Sequence, residues 1–130
     1  MKKTIMILLA AVVLIAANVE AKKKTPVIEF KETAYNFGTI PEKKGPVTHE
    51  FTFVNTGDAP LVIVDATAEC GCTTPEYSPA PVAPGKEGKI KVSYNPLGRP
   101  GGFTKKVTVR TNAKPKKSYL LIKGVVNPNK

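Results

Sequence analysis

The sequence predicts an all-β fold, a two-layered sandwich of about seven short strands. Three observations predict it. Apolar and polar residues alternate at period two through most of the chain, and no stretch sustains helical periodicity over three turns. Gly and Pro, 10 and 12 of the 130 residues, punctuate these segments at near-regular spacing. The length leaves room for one small domain, and a hydrophobic fraction of 42% excludes wholesale disorder. A barrel of the same strands is the competing architecture.

The chain opens with Lys2 and Lys3, a mostly apolar run from Thr4 to Ala17, and the small-residue pattern Val19-Glu20-Ala21. That is the layout of a cleaved secretory signal over residues 1–21, too short to span a bilayer, which needs about 20 apolar residues. Residues 22–26 form a basic lead-in, 27–126 the domain and 127–130 a C-terminal tail. Removing Lys2, Lys3 and Glu20 lowers the formal charge from +10 to +9. The mature chain is expected in the periplasm or secreted, with no membrane span after cleavage.

Pro26 to Phe30 and Ala34 to Ile40 read as one first strand split by Lys31, Glu32 and Thr33. From Val47 to Val54, Val47, His49, Phe51 and Phe53 share one face. Asn55 to Asp58 make a tight turn in which Gly57 is free to take a positive φ. Leu61 to Val64, running on to Ala68, follow, with Leu61 and Ile63 inward. Pro75 to Pro84 carry four prolines and fit only an edge strand or an extended loop, because proline lacks the ladder donor. Gly88 to Tyr94, Phe103 to Arg110 and Ser118 to Val126 alternate again. Phe30, Phe37, Phe51, Phe53, Leu61, Ile63, Ile90, Val92, Tyr94, Phe103, Val107, Val109, Leu120 and Ile122 make up the expected core.

The succession Phe51 to Gly57, Pro60 to Ile63, Cys70-Gly71-Cys72-Thr73-Thr74-Pro75, Pro84-Gly85, Gly101-Gly102-Phe103 and Leu120 to Gly124 resembles the bacterial domain of unknown function DUF1573, over roughly residues 27–126. The resemblance implies an exported, immunoglobulin-like β-sandwich, similar to the ASPM, SPD-2 and hydin domain and to major sperm protein. It implies no established reaction.

Cys70 and Cys72 are the only cysteines. In an exported chain they are expected to form a disulfide, which requires a sharp bend that Gly71 assists. So small a loop adds little stability and is easily reduced. The alternative is a soft-metal site for copper(I) or zinc, with His49, the single histidine, as a weak third ligand. Thiol-disulfide exchange is a further alternative, although no C-x-x-C on a helix start is present. No cofactor is expected outside these alternatives.

Arg99 and Arg110 are the only arginines among 20 basic residues, so bidentate anion recognition is not what the composition favours. Lys43, Lys44, Arg99, Lys114, Lys116 and Lys117 are candidate contacts for an anionic envelope component, against a purely solubilising role. No recognition helix or aromatic-plus-basic surface points to nucleic acid. The acidic residues are scattered and form no catalytic motif, so no enzymatic activity is expected. The sequence thus supports a noncatalytic binding or scaffolding module of the bacterial cell envelope, engaging a protein or anionic partner through loops or through strand addition near Pro75 to Pro84.

Overall fold

Two four-stranded sheets stack face to face in the computed structural model, which describes residues 23–128. Residues 1–21, expected to be a secretory signal, together with Lys22 and the last two residues of the chain, lie outside the described residues. The strands are β1 (Ile28–Phe30), β2 (Ala34–Pro41), β3 (Val47–Asn55), β4 (Ile63–Ala68), β5 (Thr73–Tyr77), β6 (Glu87–Tyr94), β7 (Gly101–Thr111) and β8 (Lys117–Asn127), with one 3-10 turn at Glu42–Lys44. One sheet has the order β1-β3-β6-β5 and the other β2-β8-β7-β4. This is a sandwich of immunoglobulin type and not a barrel.

There are eight strands rather than about seven because the expected first strand is two strands in different sheets. β1 pairs antiparallel with β3, Ile28 opposite Asn55 and Phe30 opposite Phe53. β2 pairs parallel with β8, Ala34 opposite Leu121 and Ile40 opposite Val126. The exposed triplet Lys31-Glu32-Thr33 carries the chain from one sheet to the other.

Period-two patterning places the core correctly where strands are central. Phe51, Phe53, Ile90, Val92, Tyr94, Val107, Val109, Leu120 and Ile122 are all buried, each large apolar side chain contributing about 1.5–3 kcal/mol. Ile28, Ile40, Val47, Cys72, Ala113 and Val126 join them. Phe30, Phe37 and Phe103, expected inside, are only partly buried and pack at the core's margins. Phe30 ends the short β1, Phe37 lies on an edge strand, and Phe103 stacks on Tyr94 at a centroid distance of 3.9 Å. Leu61 is buried, yet it precedes its strand and bridges only to Val82.

The Asn55 to Asp58 turn works differently from the reading of a positive φ at Gly57, which takes none. A Cβ there would overlap the backbone of Thr25 to Val27, so glycine is required by close approach. Asn55 itself is fully buried and fully bonded. Its Oδ1 accepts from the N–H of Val27 (3.3 Å) and Gly57 (3.0 Å), and its Nδ2 donates to the carbonyls of Ala59 (2.8 Å) and Val82 (2.9 Å). One amide thereby ties the lead-in, the turn and the loop before β6 to the end of β3.

Candidate functional site

Cys70 and Cys72 sit where the chain leaves β4 in one sheet and enters β5 in the other. They are joined in a disulfide with their Cα atoms 5.3 Å apart. Cys72 is buried, Cys70 half-buried, and the Thr73 hydroxyl lies 3.5 Å from the Cys72 sulfur and 4.0 Å from that of Cys70. Gly71 takes no positive φ and a Cβ there would meet nothing within 4 Å, so the bend uses ordinary backbone dihedrals. The Cys72 carbonyl accepts from the Asn95 N–H at 2.9 Å, and β5 therefore starts directly after the cysteine turn, two residues before Pro75.

His49 is not brought to the cysteines. Val47 lies opposite Tyr94, and Tyr94 opposite Thr73, so all reach one pole, but β6 separates β3 from β5. The imidazole stacks on Tyr35 at 3.7 Å, meets the Phe51 ring edge-on at 4.8 Å, and is hydrogen-bonded to Glu32. Among the described residues no three His, Cys, Asp or Glu side chains gather as a metal-binding group. The three-ligand arrangement does not fit this placement of His49, and a two-thiolate site would require the reduced pair.

The basic candidates divide between the two poles. Lys43 and Lys44 lie in the 3-10 turn at the cysteine pole, where Glu42 accepts from the Gly98 N–H at 3.0 Å. The Arg99 guanidinium is spent on its own loop, donating to the carbonyls of Asn95 (3.3 Å) and Leu97 (3.1 Å). Lys114, Lys116 and Lys117 flank the β7–β8 turn at the other end, beside Pro26 and Ile28. They form no common anion site.

The sheet edges are guarded. The Asn95 N–H to Cys72 bond makes Thr73–Tyr94 and Pro75–Val92 the pairs without mutual hydrogen bonds, so proline's missing donor falls on the outer edge of β5. β4 carries a bulge at Val64, and β2 one near Gly38, whose φ is 74° and whose N–H is capped by the Asn36 side chain at 2.8 Å. Strand addition beside Pro75 is therefore disfavoured.

One edge is open. β1 covers only Phe53 to Asn55 of β3, with Lys31 N–H reaching the Thr52 carbonyl at 3.0 Å. From Val47 to Phe51 no strand among the described residues lies outside β3 in its sheet. Because Thr52 points its carbonyl to that side, parity turns the peptide groups of Thr48 and Glu50 to the same open edge. Beside them a cleft of about 390 Å³ is lined by Tyr35, Phe37, Ile40, Val47, Thr48, Pro46 and Lys44. In the sequence Phe37 reads as a core residue and nothing marks a cleft, which exists because β1 is short.

The outer faces of the two sheets also differ. On β1-β3-β6-β5, Lys89 pairs with Glu50 (3.3 Å), Lys91 with Glu76 (3.9 Å) and Lys31 with Glu87 (2.6 Å), and the Lys31 hydrogen bond holds the Glu87 carboxyl below its usual range. On β2-β8-β7-β4, Tyr119, Leu121 and Val125 are exposed. Lys106, Lys117 and Lys123 stand among them with no ion pair among the described residues, Lys106 lying over the Tyr119 ring at 5.3 Å. Arg110 on this face is paired, to Asp65, whose carboxyl its hydrogen bond holds low.

No helix among the described residues is long and apolar enough to cross a membrane. Among curated proteins there is no match to the chain. Similar solved structures include a protein of unknown function from Porphyromonas gingivalis W83, with a TM-score of 0.68 and 14% identity over 84% of this chain and 50% of that one. The chain thus spans half the length of that relative. The VesB protease of Vibrio cholerae aligns with a TM-score of 0.59 and 12% identity, over 77% of this chain and 31% of the protease. The PapD-like domain 7 of human CEP192 aligns with 0.58 and 12%, over 85% and 93%. At these identities the likeness is one of fold. Residues 28–126 match the family described as protein of unknown function (DUF1573), and the chain belongs to that family.

Proposed function

We propose that the protein is an exported, noncatalytic module of the bacterial cell envelope that binds or scaffolds another macromolecule, a protein in the first instance, through the outer face of its β2-β8-β7-β4 sheet. The observation that carries this reading is the contrast between the two faces. Lys31, Lys89 and Lys91 of one are each paired with a carboxylate, whereas the other leaves Tyr119, Leu121 and Val125 exposed among lysines without ion pairs. An aromatic and aliphatic strip with a cationic rim matches the make-up of a partner-binding surface better than that of a solvated one. A depression of about 390 Å³ beside Val125, with Gly102 and Gly124 in its wall and Lys123 on its rim, adds relief that a partner's side chain can use.

The noncatalytic part rests on how the titratable groups are employed. All acidic side chains described except Glu29 hold a Lys, Arg or His side chain or a backbone N–H, among them Asp58 on Thr25 and Glu69 on Lys106. The likeness to VesB, which covers 31% of that chain, supports the fold and not a shared reaction. The Cys-Gly-Cys turn supports a clasp for the sheet crossing, and a soft-metal or exchange role for it is the alternative.

Paired charge insertions test the reading. Tyr119→Glu with Leu121→Glu should leave the unfolding midpoint nearly unchanged and abolish co-migration of the mature protein with its envelope partner in size-exclusion chromatography. Thr52→Glu with Lys91→Glu on the opposite face should leave that complex intact. Equal loss from both pairs, or none from the first, would refute it.

A further inference from the structure

We infer that the cleft between β2 and β3 is a second binding site, separate from the exposed sheet face, which takes an extended apolar polypeptide segment as an added strand along Val47 to Phe51.

Three features converge there. First, the backbone is unfinished. β1 leaves β3 at Phe53, and the peptide groups of Thr48 and Glu50 face outward with no strand of the described residues beside them. β3 carries no bulge or proline along this stretch, unlike the guarded edges of β2, β4 and β5. Second, the cleft floor is apolar and lies alongside the unpaired backbone. Tyr35, Phe37, Ile40 and Val47 line a volume of about 390 Å³, within the range of about 300–1,000 Å³ usual for binding pockets. Tyr35 and Phe37 meet edge-on at 5.0 Å and Tyr35 is fixed by its stack on His49, so the wall is preformed. Third, the open end of the cleft is cationic. Lys44 lines it and has no ion pair among the described residues.

These features define the occupant. Main-chain hydrogen bonds to Thr48 and Glu50 supply affinity, and alternate side chains that turn into the cleft supply specificity, as in other cases of strand addition. An antiparallel segment would continue the line of β1 and run toward Val47, which brings its C-terminal end to Lys44. The ligand is therefore a segment of about five residues, apolar at alternate positions and acidic near its C-terminal end.

The probe is a synthetic peptide of alternating Thr and Val ending in Asp-amide, titrated into the ¹⁵N-labelled mature chain. The expected result is saturable amide shifts at Thr48, Glu50, Tyr35 and Phe37, with the Tyr119 to Val125 strip unmoved. Replacing the threonines by prolines should weaken binding at least tenfold. Lys44→Glu, at an exposed turn position, should weaken the Asp-ended peptide about fivefold and improve a Lys-ended one. Overturning results are the absence of saturable shifts up to millimolar peptide, equal binding of the proline peptide, or shifts confined to the opposite face. A concentration-dependent dimer producing the same shifts without peptide would assign the edge to a second copy and overturn the proposal too. None of these failures touches the sheet-face reading, whose own variants are Tyr119→Glu and Leu121→Glu.

Discussion

Replacing Asn55 by alanine removes the amide that holds four chain segments at one pole. Its four hydrogen bonds span 2.8–3.3 Å, and the side chain is fully buried. Three are well formed and the one to Val27 is long. At about 1 kcal/mol net for each good bond, with partners left unsatisfied in place, the loss is about 2–4 kcal/mol. Against a total of about 5–15 kcal/mol this lowers the thermal midpoint by roughly 10–20 °C. Urea and thermal unfolding of residues 22–130 measure it. Asn55→Asp adds a sign that alanine lacks, because the second oxygen of the introduced carboxyl faces the Ala59 and Val82 carbonyls. Burial and those carbonyls raise the folded pKa of that carboxyl above the unfolded value of about 3.9, so its penalty is least below about pH 4 and grows as pH rises through the folded value. A loss below about 1 kcal/mol for Asn55→Ala, or an Asn55→Asp variant that gains stability toward neutral pH, would refute the assignment of Asn55 as the polar hub.

Gly88→Ala places a Cβ against the Phe53 ring and should cost about 1–3 kcal/mol in urea unfolding, whereas Gly71→Ala, whose Cβ site is open, should cost under about 0.5 kcal/mol. Cys70→Ser with Cys72→Ser should lower stability by no more than about 2 kcal/mol, since so short a loop constrains the unfolded chain little, and should leave binding at the sheet face intact. Loss of that binding, with a metal mass on the reduced wild type in native mass spectrometry, would favour the soft-metal alternative. The Arg110 hydrogen bond lowers the Asp65 pKa, so the stability this pair contributes is present above about pH 4 and is lost as pH falls through the depressed value. Asp65→Asn should accordingly flatten the urea midpoint between about pH 4 and the onset of acid unfolding, and an unchanged slope would contradict the pairing.

The central strands were legible because their patterning is two-fold and unambiguous. Ile90-Lys91-Val92-Ser93-Tyr94 admits one inward face, and the structure buries all three apolar members. What escaped the sequence depended on contacts distant along the chain. Nothing local in Lys31-Glu32-Thr33 says that the chain changes sheets there, because the signal is the register of β1 on β3 and of β2 on β8. Asn55 was readable as a turn former, and its bond to Gly57 is that of a side chain closing its own turn, but its bonds to Ala59 and Val82 need the fold. His49 shared the inward parity of Phe51, yet parity does not say which neighbour a margin residue meets, and Tyr35 and Glu32 reach it before any cysteine does. The lysines looked like one basic population and prove to be divided between poles and faces, which decides where an anionic or apolar partner can sit.

The most direct test of the binding role is site-specific photocrosslinking in living cells, with a photoreactive residue at Leu121 on the exposed face and, separately, at Glu76 on the opposite face, away from the open edge of β3. A discrete protein adduct is expected from position 121, lost with Tyr119→Glu, and none from position 76. Equal adducts from both positions, or none from 121 in cells that produce the protein at its normal level, would contradict that role.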